Sequence, residues 1–456
     1  MLELLTIRQK TEEKIHQLVC EIQEQTQVIQ RVKPASPETQ EDFKKKLEDI
    51  GSIRGRPLYW SFISSGRGHG PYVECQDGSV KLDLINGIGV HILGHSHPKL
   101  LAAAVRGSLQ DCVNQGHLQP GEEYVVMSQK LLGLAQGSRL KHVWLSTCGT
   151  MANENALKLA RQKNSPARFV LALENAFAGR STMMAELTDN PSYKQGLPEY
   201  KEVLRIPFYN KFDPASADKT LRALREHIEK HKNDISVFCF EPMLGEGGYR
   251  SAPLSFYLPL FEECKKNNIA IWADEVQTFL RTGEPFAFQK IGFSDWVDIC
   301  TIAKTAQVAA TLYTNDYNPK PGLIAGTFAG ATAALSAGIA VIDEMTTGDY
   351  FGPNGKIQKI HNDFVGALNA LGEGSCKGLL EDPEGLGLMI AVTPFSGDKD
   401  KVNKLIKVLF TNGVMAYTCG KDLLRIRFLV PAIITKSQIQ EAMSIIEASI
   451  HEVQKG

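Results

Sequence analysis

The sequence predicts an α/β protein built on a mostly parallel sheet with helices on both faces. Three observations carry this. From about Lys141, short apolar runs alternate with longer amphipathic stretches. The runs are apolar at successive positions, as strands buried on both faces require. The chemically unusual residues, among them Cys148, Asp274 and Lys304, fall at or just beyond the carboxyl ends of the runs. That is where an open α/β sheet holds its ligand.

The chain has 456 residues, 43% hydrophobic and 22% charged, with a formal net charge of −1. That length supports a large core and more than one domain. The near-neutral balance gives no reason to expect a nucleic acid or an anionic membrane as partner. No apolar run approaches the length of a membrane span. The opening MLELLTIRQKTEEK carries glutamates early and lacks a secretory pattern. Nine cysteines, an odd number with no CxxC spacing, read as reduced thiols of a cytoplasmic protein, not as disulfides or a metal site.

Each element follows in order. Ile15, Leu18, Val19, Ile22, Val28 and Ile29 recur at helical spacing, and KPASP (Lys33 to Pro37) ends that amphipathic helix. It could pack on the body, pair with another subunit or bind a partner. HVWLS (142–146) is the first strand of the sheet, followed by a helix beginning near Met151. FVLALE (169–174), ISVFCFE (235–241), IAIWADE (269–275) and VDICTIAK (297–304) are further strands. Leu221 to Lys230 and Tyr257 to Lys266 are amphipathic helices between them. From about Asp363 a smaller α/β rhythm begins. LGLMIAV (386–392) and LLRIRF (423–428) are its strands and Lys436 to Val453 its last helix.

The run ending in Asp274 and Glu275 raises the chemical question. A carboxylate at a buried strand end is costly unless a cation or hydrogen-bond donors meet it. Every neighbouring feature has two readings. Lys304 could snorkel from a strand end, or be a desolvated amine suited to Schiff-base chemistry. Cys148, Gly149 and Thr150 could be an ordinary helix start capped by Thr147 or Thr150, or an anion site of backbone N–H groups. Phe177 could be a core aromatic or stack on a flat ring. Arg180 and Arg427 could be ion-paired arginines or forks for a substrate carboxylate. Glu246, in GEGG, could sit in a turn or neutralise an arginine. Taken together they converge. A protonated ring nitrogen for Asp274, an aldehyde for Lys304 and a phosphate for the helix start describe pyridoxal 5'-phosphate.

LDLINGIGVHILGHSHP (82–98), CGTMANENALKLAR (148–161) and above all DEVQTFLRTGEPFAFQ (274–289) followed by AK (303–304) resemble the class III, or ω-, aminotransferases. These are fold type I pyridoxal-phosphate enzymes, and the resemblance runs from roughly Pro57 to the C-terminus. It implies a large cofactor domain at 99–345 with a mostly parallel seven-stranded sheet. A smaller α/β domain would come from 57–98 and 346–456, after a helical extension at 1–56. It places Asp274 on the pyridine nitrogen, Gln277 toward the ring hydroxyl and Lys304 as the cofactor-bearing lysine. Cys148, Gly149 and Thr150 would surround the phosphate and Phe177 would stack on the ring. Thr327, in GTFAG, would reach the phosphate across a homodimer interface.

The resemblance also implies substrates. Arg427 would grip the α-carboxylate of glutamate, Glu246 would pair with Arg427 when a terminal amine is bound, and Arg180 would take the distal carboxylate. The implied activity is transamination of an amine or ω-amino acid, of the ornithine, acetylornithine, lysine or 4-aminobutyrate type. Glutamate/2-oxoglutarate would be the second pair, and no metal is expected. An aminomutase or epimerase on the same scaffold is an alternative. So is a non-catalytic protein that kept the fold, although a binding module gains nothing from a buried lysine–aspartate pair. Several positions depart from the family. Cys148 replaces a serine, Met151 a glutamate and Ala178 a histidine. Thr278-Phe279-Leu280 replaces Gly-Phe-Gly, and TAQVAATLYT (305–314) replaces a glycine-rich stretch. KTAQV (304–308) resembles the lysine ε-aminotransferases.

Overall fold

Strands β1 (His142–Ser146), β2 (Phe169–Leu173), β3 (Val203–Ile206), β4 (Ile235–Phe240), β5 (Ala270–Asp274), β6 (Ile299–Ile302) and β7 (Ala309–Tyr313) form one sheet. The computed structural model that shows it describes residues 2–110, 114–421 and 423–456, with side chains from Gln9 onward. Across the sheet the order is β1-β7-β6-β5-β4-β2-β3. The pairs among β2 to β6 are parallel, while β7 runs antiparallel to both its neighbours. Strands β2, β4, β5, β6 and β7 are buried at every position. Strands covered on both faces need apolar runs, and that makes β2, β4, β5 and β6 legible; β1, half-buried over its first three positions, is legible from its apolar residues as well.

Two strands escape that reading. β3 is a half-buried edge strand of four residues. β7 reads AATLY and is fully buried, but its small and hydroxyl-bearing residues carry no apolar signal.

Segments from both sides of the large sheet in the chain build one of the smaller sheets. Val80–Asp83 pairs in parallel with Val414–Met415, so a segment before the large sheet is completed by one after it. Leu380–Leu386, Met389–Pro394, Arg425–Leu429 and Tyr417–Cys419 form an antiparallel sheet in that order. The last helix is Lys436–Lys455, started by a Thr435–Gln438 capping box.

The N-terminal helix spans Leu2–Thr26, shorter than its apolar spacing suggests. Ile15 and Val19 are buried, whereas Leu18 is exposed. Val28 lies beyond the helix and is 74% exposed, while Ile29 is buried in the main core. The helix lies against Pro98–Ser108 of its own chain. Arg106 forks onto Glu12 at 2.6 and 2.5 Å, and Gln23 donates to the Ser96 carbonyl at 2.6 Å. Among the described residues every cysteine is free, no helix is long and apolar enough to cross a membrane, and no His/Cys/Asp/Glu group could hold a metal.

Candidate active site

A cavity of about 350 Å³ opens at the carboxyl ends of β1, β2, β4, β5 and β6. Cys148, Gly149, Thr150, Phe177, Glu246, Asp274, Gln277 and Lys304 all line it.

Asp274 closes β5 and is 5% exposed. Its Oδ2 accepts a hydrogen bond from Asn153 Nδ2 at 2.7 Å and its Oδ1 accepts the Val276 N–H at 3.0 Å. Burial pushes its pKa up to about 6, even though these donors and the Lys304 charge act to lower it. The site therefore holds a carboxylate that two neutral donors do not fully satisfy, which suits a cationic partner. The adjacent Glu275 points elsewhere. It accepts from Thr278 Oγ1 at 2.6 Å and from the N–H groups of Ala287 and Phe288 at 2.8 and 2.9 Å. It caps the short helix Ala287–Ile291, a structural task. Of the two acids in the motif, one serves the cavity and the other the fold.

Lys304 follows β6 and is half-buried, facing the cavity. Its φ is +53°, a left-handed conformation that costs about 1–2 kcal/mol for a residue with a side chain. The turn is held from several sides. Gln307 N–H donates to the Lys304 carbonyl at 3.0 Å, and Gln307 Nε2 donates to the Val90 carbonyl at 3.1 Å. Thr305 Oγ1 donates to the Phe279 carbonyl at 3.0 Å and accepts from Arg281 at 3.2 Å. Burial lowers the lysine pKa to about 8. The Arg427 charge adds to the effect and Glu246 opposes it.

The helix Gly149–Lys163 starts at the cavity. Its cap residue is Cys148, with extended backbone and no side-chain hydrogen bond, so neither Thr147 nor Thr150 caps it. The first intrahelical bond shown there is Ala152 N–H to the Cys148 carbonyl, 3.1 Å. The N–H groups ahead of it lack intrahelical partners, which suits an anion. A Cβ at Gly149 would come within 2.9 Å of Val276, so the close approach requires glycine.

Two residues went unrecognised in the sequence. Asn153 orients Asp274 and also donates to the Ala178 carbonyl at 2.8 Å. Its signal was a polar residue on the inward face of the helix that starts at the cavity. Glu241 lines the cavity and accepts the N–H groups of Phe177 and Gly245, each at 3.0 Å. Burial and then the neighbouring Asp274 raise its pKa to about 8. Its signal was the acid closing ISVFCFE, the same pattern as at Asp274.

Pyridoxal phosphate fits these residues. The helix start suits a phosphate, Asp274 a ring nitrogen and Lys304 an aldehyde. Gln277 Oε1 and Asn153 Oδ1 are buried acceptors without a partner among the described residues.

Arg427 is not among the residues lining the cavity; it is 1% exposed and donates through Nη2 at 2.7 Å to Oε1 of Glu246, which does line it. Burial disfavours its charge, but Glu246, Tyr249 and Cys419 together more than offset that, so its pKa lies above the ordinary arginine value. Arg427 Nε and Nη1 have no partner among the described residues. Arg180 is exposed and does not line the cavity. Its guanidinium lies 3.9 Å from the centre of the Tyr193 ring and 5.9 Å from that of Phe177. Thr327 is exposed and lies outside the cavity of its own chain.

The sequence pattern of the family "Aminotransferase class-III" matches residues 57–450. The chain is 31% identical over 406 residues to the 4-aminobutyrate aminotransferase of Mycobacterium leprae, covering 83% of this chain and 89% of that protein. It is 28% identical over 404 residues to the acetylornithine/succinyldiaminopimelate aminotransferase of Yersinia pestis, covering 86% and 93%. Among solved structures, the lysine aminotransferase of M. tuberculosis superposes with a TM-score of 0.79 at 22% identity, covering 89% of this chain and 99% of that one. With the pattern spanning most of its length and the site geometry in agreement, the chain belongs to the class III aminotransferases, pyridoxal-phosphate-dependent transaminases of fold type I.

Proposed function

We propose that this enzyme, acting as a homodimer, transfers the terminal amino group of an ω-amino acid or amine, with glutamate/2-oxoglutarate as the second pair. The observation that carries this is the 2.7 Å Glu246–Arg427 pair, whose glutamate lines the same cavity as Lys304. A terminal amine brings no carboxylate to its reacting carbon, so the arginine must be neutralised from within the protein. Glutamate brings an α-carboxylate there, and Glu246 must then release Arg427. The arginine's Nε and Nη1, buried and without a partner among the described residues, support this reading as donors a carboxylate could meet.

Pyridoxal phosphate, when bound, supplies an electrophilic carbon and a ring that takes up the electron pair released at the substrate carbon. The protein does the rest. Asp274 keeps a proton on the ring nitrogen, and Asn153 orients Asp274. Cys148, Gly149 and Thr150 receive the phosphate, with Thr327 joining from across the dimer interface. Phe177 would pack on the ring face and Gln277 would reach toward the ring hydroxyl. Lys304 Nζ would anchor the cofactor and, when free, would carry a proton between the substrate carbon and the cofactor carbon. An amine pulled down to about 8 has an appreciable neutral fraction near neutral pH, as a general base requires. Arg180 takes the carboxylate at the far end of the substrate.

The names of similar proteins, 4-aminobutyrate, acetylornithine and lysine aminotransferase, support a terminal-amine donor. The test is a donor screen on the holoenzyme with ornithine, acetylornithine, lysine, 4-aminobutyrate and diamines. At least one terminal amine should bleach the visible cofactor band, and 2-oxoglutarate should restore it. Steady turnover with no keto acid present would overturn the reading in favour of an aminomutase or epimerase.

A further inference from the structure

Among the described residues three arginines are fully buried: Arg281, Arg425 and Arg427. Two of them are paired. Arg425 donates to Glu384 and Arg427 to Glu246, each at 2.7 Å. Arg281 meets no carboxylate among the described residues. Its Nη2 donates to the Gly89 carbonyl and, at 3.2 Å, to Thr305 Oγ1. Its Nε and Nη1 have no partner among the described residues. Burial lowers its pKa to about 10, which still leaves it a cation at neutral pH. An unshared buried charge is costly to a fold. Proteins break that rule chiefly at functional sites.

Both acceptors of Arg281 belong to the surroundings of Lys304. Thr305 follows the lysine in the chain. Gly89 ends a run of four residues with left-handed backbone, Asn86, Gly87, Ile88 and Gly89, at φ of 52°, 59°, 61° and 86°. The β-branched Ile88 is strained there. The next residue, Val90, lines the catalytic cavity, and its carbonyl accepts from Gln307. Arg281, through Thr305, and Gln307 thus brace consecutive carbonyls of this segment against the lysine turn. A Cβ at Gly89 would come within 3.1 Å of Arg281 Nη2, so the contact requires glycine. One guanidinium joins two strained stretches of backbone.

Four charges act on the Lys304 amine. Arg427 and Arg281 disfavour its proton, and Glu246 and Asp274 favour it. Glu246 and Arg427 offset each other as a pair, and Asp274 faces the ring nitrogen in the reading above. Of the four, Arg281 alone has no counter-ion. Its influence on the amine therefore stays constant while Arg427 exchanges partners. Resting on the assignment of Lys304 as the cofactor-bearing lysine, we propose that Arg281 is a positioning residue for Lys304: its unshared charge disfavours a proton on the lysine nitrogen, and its fork holds the lysine turn against the 86–89 segment.

The test is a pH titration of the visible cofactor band on the holoenzyme, whose midpoint reads the proton on the lysine nitrogen. Arg281→Gln removes the charge and keeps a donor for the Gly89 carbonyl. Its midpoint should lie about one pH unit or more above that of the wild type, since loss of a neighbouring cation makes protonation easier. Arg281→Lys keeps a cation and should leave the midpoint nearer the wild type than Arg281→Gln does. The Arg281→Gln apoprotein should melt no lower than the wild type, because deleting an unpaired buried charge relieves the fold. A purely structural arginine would give the reverse, a lower melting temperature and an unmoved midpoint, and that result would overturn the proposal. Should Arg281→Gln not fold, Arg281→Met, an apolar exchange of the kind buried ionic groups tolerate, carries the same test. If Lys304→Ala keeps a band that borohydride abolishes, the assignment of the lysine fails and this proposal with it. If only the midpoints fail to move, the role of Arg281 fails and the lysine stands.

Discussion

The cofactor half of the site and the substrate half differ in how their residues are held. In the cofactor half, Asp274 and Lys304 extend the ends of adjacent parallel strands, so the sheet sets their spacing. Their surroundings are closed: Asn153 and Val276 bond the aspartate, and Gln307 pins the lysine turn. In the proposed substrate half, Glu246 pairs with Arg427 across 181 residues of chain. These groups are partly exposed, or keep donors without partners. Rigid chemistry and exchangeable recognition are thus separated: the first half must hold one cofactor still, and the second must serve two unlike substrates in turn.

The sharpest break of this contrast is Lys304→Ala. It should cut turnover by at least about 10³-fold, because it removes both the anchor and the proton carrier. The visible band that borohydride abolishes in the wild type should be missing. Asp274→Asn should cost about 10²–10³-fold in turnover with every donor alike, since it removes the charge facing the ring. A loss confined to one donor class would contradict its place in the cofactor half.

Changes in the substrate half should discriminate between substrates. Arg427→Lys should raise KM for 2-oxoglutarate by about tenfold or more, because a point charge replaces a two-pronged fork. Glu246→Ala should lower kcat/KM for terminal amines by about tenfold, by leaving the buried arginine uncompensated. Glutamate should suffer less. Equal losses for terminal-amine and α-amine donors would end the gating idea.

The smallest effect concerns stability. Asp274, Glu275 and Glu241 have pKa values raised to about 6, 7 and 8, chiefly by burial. Unfolded, such groups titrate near about 4. Between these limits the folded protein binds more protons than the unfolded chain, so stability falls as pH rises. The apoprotein should melt at lower temperature at about pH 8 than at about pH 6, and bound cofactor should flatten the share due to Asp274. Melting curves with and without cofactor measure this. An apoprotein that gained stability over that range would show the carboxylates to be better solvated than their burial implies.

The two halves were also unequally legible. The cofactor half lies in short motifs, because a buried strand that ends on a charge is conspicuous against its apolar run. Asn153 escaped notice because helix position, not residue type, aims it at Asp274. Glu241 escaped because its strand was read for its apolar core and not for its last residue. The strand Ala309–Tyr313 was invisible for a different reason. Small residues suit a position closed in by neighbours on both sides, and they carry no hydrophobic signal.

The sequence by itself determined the architecture and the chemistry. Local periodicity dictates which segments become buried strands, and an acid or amine at a strand end has few inexpensive fates. Tertiary structure decided which of two adjacent acids faces the cavity, that Arg427 is already paired with Glu246, and that Arg180 lies outside the cavity against the Tyr193 ring. Those outcomes depend on contacts between segments far apart in the chain. Their geometry is set by packing, and no local pattern encodes it.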